Sequence, residues 1–62
     1  MNIKIGDKVR IKSDLKKGMG VCAEQVAYAG QEFTVVDKWG YDGVILKDNH
    51  FDWNISNLEV IN

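Results

Sequence analysis

The sequence predicts a mostly β domain: a small five-stranded antiparallel sheet curled into a partly open barrel, with one short helix in its long first loop. Three observations carry that prediction. Apolar and polar residues alternate around Val9 and again from Phe51 to Ile55, the period-two pattern of strands with one buried face. Gly- and Asp-rich steps separate the later segments at hairpin spacing. The 62 residues contain no proline, so every strand can keep its full hydrogen-bond ladder. A sheet on so short a chain must curl upon itself to bury both halves of its apolar face, and curling also reduces the exposed edges. One domain spanning residues 1–62 follows.

The first segment, Ile3 to Lys12, places Val9 and Ile11 inside and Lys8, Arg10 and Lys12 outside. Ser13-Asp14 breaks the alternation, and Gly18-Met19-Gly20 supplies permissive backbone. Residues 21–29 read as a short helix stopped by Gly30. Cys22, Val26 and Ala29 share its docking face, while Glu24 and Tyr28, four apart, face away. A second strand covers 32–38, with Phe33 and Val35 on one face, and Trp39-Gly40-Tyr41-Asp42-Gly43 forms a turn. Val44 to Lys47 returns as a strand and Asp48-Asn49 makes the next tight turn. Phe51, Trp53 and Ile55 then point inward, Ser56-Asn57 interrupts, and residues 58–61 close the sheet.

Composition narrows the function. Eight basic and nine acidic side chains leave a net charge of −1, which does not suit a general polyanion binder. No apolar stretch approaches a membrane span and no charged-then-apolar leader opens the chain, so a cytoplasmic small protein is expected, with no membrane partner. Its single cysteine excludes an internal disulfide. Cys22 with His50 as nucleophile and base, and Asp48, His50 and Asp52 as metal ligands, are both outweighed by packing and turn roles. The thiol belongs to the apolar helix face, and three loosely spaced groups do not fill a coordination shell. The expectation is a chain with no catalytic residues, no metal site and no cofactor.

The order of elements resembles the Src-homology-3-like barrel: first strand, long excursion, three hairpin-linked strands, a tight turn and a last short strand. The closing run Ile55-Ser56-Asn57-Leu58-Glu59-Val60-Ile61 looks like that family's ending, in which a one-turn three-ten helix precedes the final strand. Residues 5–12, the loop at 18–20, Tyr28-Ala29-Gly30 and Trp53 make the chain similar to small barrel proteins of Gram-positive bacteria and their phages. The paired tryptophans and aromatic first segment of eukaryotic proline-peptide binders have no counterpart here, since Trp39 stands alone and residues 7–12 are charged. The resemblance implies a phage- or prophage-encoded modulator or inhibitor of a host protein, a defence nuclease among the possibilities.

Charge layout separates two surfaces. Residues 1–17 hold six basic side chains against two acidic, a local +4, whereas residues 18–62 hold two against seven, a local −5. With Phe33, Phe51 and Trp53 wanted by the core, Tyr28, Trp39 and Tyr41 remain. Together with Glu24, Asp37 and Asp42 they form a candidate protein-binding surface suited to a basic partner, because exposed Trp and Tyr are the residue types that become binding hot spots. The alternative is nucleic-acid binding along Lys8, Arg10 and Lys12, extended by Lys16 and Lys17. Self-association through an edge strand is a third expectation.

Overall fold

The structure is a computed structural model that describes residues 3–15, 17–18 and 21–62. It contains β1 (Lys8–Ile11), α1 (Ala23–Val26), β2 (Glu32–Trp39), β3 (Gly43–Leu46), β4 (Asn49–Asn54), a three-ten turn (Ile55–Asn57) and β5 (Leu58–Val60). The five strands form one antiparallel sheet in the order β4-β3-β2-β1-β5. Chain reach explains its shape. Neighbouring strands lie about 4.8 Å apart, so the outer strands of a flat five-stranded sheet would be ~19 Å apart. Only the three-ten turn joins β4 to β5, and four residues span at most ~14 Å. The sheet must therefore bend until its two edges approach. Its edges come near without pairing, which is a partly open barrel.

The joint between those edges is capped locally. The Asn54 side chain accepts a hydrogen bond from the Ser56 amide at 2.8 Å and starts the three-ten turn. Inside the curl lie Val9, Ile11, Val35, Val44, Leu46, Trp53 and Leu58, joined by Ile3, Leu15 and Val21 from outside the strands. Val9, Ile11, Val35 and Trp53 thus face inward as their alternation requires. Phe33, Phe51 and Ile55 are half-buried and pack against this core. On β2 a bulge between Val35 and Asp37 interrupts the alternation and leaves Val36 exposed.

Three local expectations are corrected. The helix is one turn, Ala23–Val26, rather than 21–29, and Cys22 is its exposed N-cap rather than a docking residue. Gln25 is the buried residue instead. Its Oε1 accepts from the Cys22 amide at 3.0 Å, and its Nε2 donates to the Asp52 carbonyl at 2.9 Å. One amide side chain therefore caps the helix and fastens it to the outer edge of β4, covering part of an edge that would otherwise invite pairing.

The second correction concerns Tyr28. After Val26 the backbone continues with bonds from Tyr28 to Gln25 and from Ala29 to Val26, a three-residue spacing that winds more tightly than an α-helix. Tyr28 is thereby turned toward the core. Its ring meets Phe33 and Phe51 edge-on at 6.0 Å and Trp53 at 6.3 Å. The third correction moves the tight turn to Lys47-Asp48, where Asp48 takes a left-handed φ of 60°. Asn49 begins β4 and is buried, and its Oδ1 accepts from both the Phe51 amide and the Trp53 indole at 3.1 Å. A buried indole N–H needs an acceptor, and Asn49 is that acceptor.

Candidate protein-binding surface

Register assembles the surface. Directly paired residues of an antiparallel sheet share a face, so β2, β3 and β4 present two rows: Trp39, Gly43 and Asn54, then Asp37, Ile45 and Asp52. The intervening pair, Val44 and Trp53, is buried, so both rows look outward. Trp39 lies across the Gly43 backbone. A methyl group in place of the Gly43 hydrogen would sit 2.8 Å from the indole Nε1 and 2.7 Å from the Trp39 carbonyl oxygen. Glycine is what allows this approach. One part of the ring is thus pressed on the sheet, yet the residue remains 57% exposed. Tyr41, at the tip of the same hairpin, is fully exposed.

Asp42 and Asp52 share a groove with the indole, and Asp37 lies two positions before it on the same face of β2. Asp42 is held twice: its side chain accepts from Asn54 Nδ2 at 3.1 Å, and its carbonyl accepts from the Ile55 amide at 2.8 Å. Asp37 accepts from the Lys38 amide at 2.8 Å. Beside these lies a shallow groove of about 240 Å³ lined by Trp39, Asp42, Gly43, Asp52, Trp53 and Asn54. The Gln25–Asp52 hydrogen bond sets α1 alongside β4, and exposed Glu24 comes with it. Of the six residues expected from sequence, Trp39, Tyr41, Asp37 and Asp42 gather on one hairpin, Glu24 is exposed on α1, and Tyr28 packs against the core. Asp52, Asn54 and Gly43 were missed. The alternation that turns Trp53 inward also turns Asp52 and Asn54 outward, and that was the available signal.

The basic strand is built differently. Arg10 stands opposite Glu32 on β2 and opposite Glu59 on β5. Its guanidinium donates to Glu32 at 3.0 Å, with both side chains partly exposed. Lys8 borders a polar groove of about 340 Å³ that also contains Glu32, Lys47 and Asp48, so positive and negative groups share it. Lys12 is half-buried, Lys17 is exposed in the loop, and Lys16 lies outside the described residues, as do Met19 and Gly20 of the permissive loop.

Asp7 anchors the approach to β1. Its carboxylate accepts from the Lys4 amide at 2.9 Å and from Asn62 Nδ2 at 2.8 Å, while Asn62 Oδ1 accepts from the Lys8 amide at 2.7 Å. The backbone bond from Lys4, then the bond from Asn62, hold the Asp7 carboxyl below the usual carboxylate range.

His50 stacks on Phe51 with ring centroids 4.2 Å apart, and Asp48 occupies a turn. Among the described residues no three His, Cys, Asp or Glu side chains converge as a metal site requires. No helix of the described residues is long and apolar enough to cross a membrane. Comparison with family models, with curated proteins and with solved structures yields no match to this chain.

Proposed function

We propose that this chain is a non-enzymatic binding module that engages a basic protein surface through Trp39, Tyr41 and the carboxylates of Asp37, Asp42 and Asp52. The observation that carries this reading is the exposed Trp39 indole, laid on Gly43 beside a groove that Asp42 and Asp52 also line. Large aromatic side chains left in solvent supply most of the energy at protein interfaces, and acidic neighbours steer and orient a cationic partner. The Src-homology-3-like resemblance adds a setting: a phage- or prophage-encoded modulator of a host protein, acting in the cytoplasm.

Nucleic-acid binding through β1 is weakened by register, because Arg10 is already engaged by Glu32 and faces Glu59. Capture from native lysate distinguishes the two. Under the protein-binding reading a stoichiometric basic protein is retained after nuclease treatment and lost with the double variant Trp39→Ala, Tyr41→Ala. Recovery that vanishes with nuclease, or that survives the double variant, contradicts it.

A further inference from the structure

The groove beside Trp39 has the dimensions and chemistry of a slot for a single side chain. At about 240 Å³ it is smaller than the ~300–1,000 Å³ of ordinary small-molecule pockets, and it is open rather than enclosed. Among the described residues its lining offers the exposed Trp39 indole, part of the otherwise buried Trp53, two aspartates and Asn54, and no lysine or arginine. Lys38, the nearest basic residue in sequence, pairs with Val44 and belongs to the opposite face of β2. Among the described residues, the aromatic surface and negative charge of this groove are therefore left without a cation.

Two of these groups are fixed before any ligand arrives. Gly43 seats the indole, which lies close enough that a Cβ would stand 3.0 Å from Cε2 as well as 2.8 Å from Nε1. Asn54 holds the Asp42 carboxylate at 3.1 Å, and the Ile55–Asp42 backbone bond fixes the turn that carries it. Preorganisation of this kind removes the ordering cost that weakens most exposed polar contacts.

We propose that this groove seats one arginine side chain of the partner protein, with the guanidinium stacked on Trp39 and donating to Asp42 and Asp52. The proposal rests on the protein-binding reading above and names the chemistry recognised there. A guanidinium is planar, weakly hydrated and forked, so it can use a flat indole and a carboxylate at once. A lysine ammonium is compact and strongly hydrated and uses only one of these well. Two carboxylates fall short of the six or more oxygens a hard cation takes, so the aromatic surface, rather than charge alone, selects the occupant.

The test titrates the ¹⁵N-labelled protein with three capped peptides, Gly-Arg-Gly, Gly-Lys-Gly and the neutral isostere Gly-citrulline-Gly. The arginine peptide should move the Trp39 indole N–H and the Asn54 side-chain amide in a saturable way, with the lysine peptide weaker and the citrulline peptide silent. Trp39→Ala should weaken the arginine peptide about tenfold. Asp52→Asn should weaken it while leaving the Asn54–Asp42 bond in place. Equal response to arginine and citrulline, or shifts centred on Asp48 or Glu59, would overturn the slot. Should the peptide ignore the groove while Trp39→Ala, Tyr41→Ala still abolishes protein capture, the arginine slot fails and the surface reading stands.

Discussion

Two outer faces of the same sheet carry opposite charge and are built on opposite terms. On β1, Arg10 lies between Glu32 and Glu59 in the register, and one of those glutamates binds it at 3.0 Å. On β2, β3 and β4, the row Asp37, Ile45, Asp52 contains two carboxylates with an aliphatic residue between them, and the neighbouring row adds Trp39. Arg10 is therefore met by counter-charge within the fold, while among the described residues no basic side chain pairs with Asp37, Asp42 or Asp52. Part of the +4 of residues 1–17 is offset where strand pairing sets Glu32 and Glu59 against Arg10. The informative quantity is charge left over after register is applied.

The largest expected effect falls on both faces together. Trp53, 1% exposed, lies on the inner side of the sheet that carries the acidic face, and its indole N–H is satisfied by Asn49. Trp53→Ala should cost about 3–5 kcal/mol, enough to unfold a domain of this size, as read by thermal or urea denaturation. Wild-type melting would mean that β4 is out of register. Gly43→Ala comes next. The added methyl meets Trp39 backbone and ring at 2.7 and 2.8 Å, so the hairpin must shift, at about 1–3 kcal/mol. Unlike Trp53→Ala, it should change the acidic face selectively, moving Trp39 fluorescence and leaving amide shifts of β1 and β5 in place.

Glu32→Gln sharpens the comparison from the other side. Losing an exposed ion pair should change stability by about 1 kcal/mol or less. Releasing Arg10 should nevertheless strengthen binding to a DNA oligonucleotide and steepen its salt dependence by about one unit of log–log slope. No gain in polyanion binding would show that the Arg10–Glu32 pair does not restrain the basic face.

The smallest effect is a pH dependence at Asp7. Because its carboxyl is held below the usual range when folded, it contributes stability that is present above the ordinary carboxylate pKa. That contribution disappears as pH falls from there through the lowered folded value. Asp7→Asn should flatten this acid limb of the stability profile and leave neutral-pH binding by Trp39 unchanged.

How much of this was legible in the sequence differs between the two faces. Strands and inward residues were, because period-two patterning around Val9, Ile11 and Trp53 is local and survives folding unaltered. The exposure of Asp37, Trp39, Tyr41 and Asp42 is legible too, since they share one hairpin at and beside its turn. Tyr28 was not. Its outward placement assumed an α-helix continuing past Val26, and a change to three-residue winding redirects the side chain into the aromatic cluster. Asn49 reads locally as a turn residue, because its role answers a demand made four positions away, by the Trp53 N–H. The neutralisation of Arg10 depends on pairing across 22 residues, which no local pattern encodes.

The most direct test of the account compares two double variants in one capture experiment from nuclease-treated native lysate, quantified by mass spectrometry. Trp39→Ala with Tyr41→Ala empties the acidic face of its aromatics, and Lys8→Glu with Arg10→Glu reverses the basic one. The account expects the retained basic protein to be lost with the first variant and kept with the second, both variants remaining folded by circular dichroism. Retention by the first and loss by the second would contradict it and assign binding to β1.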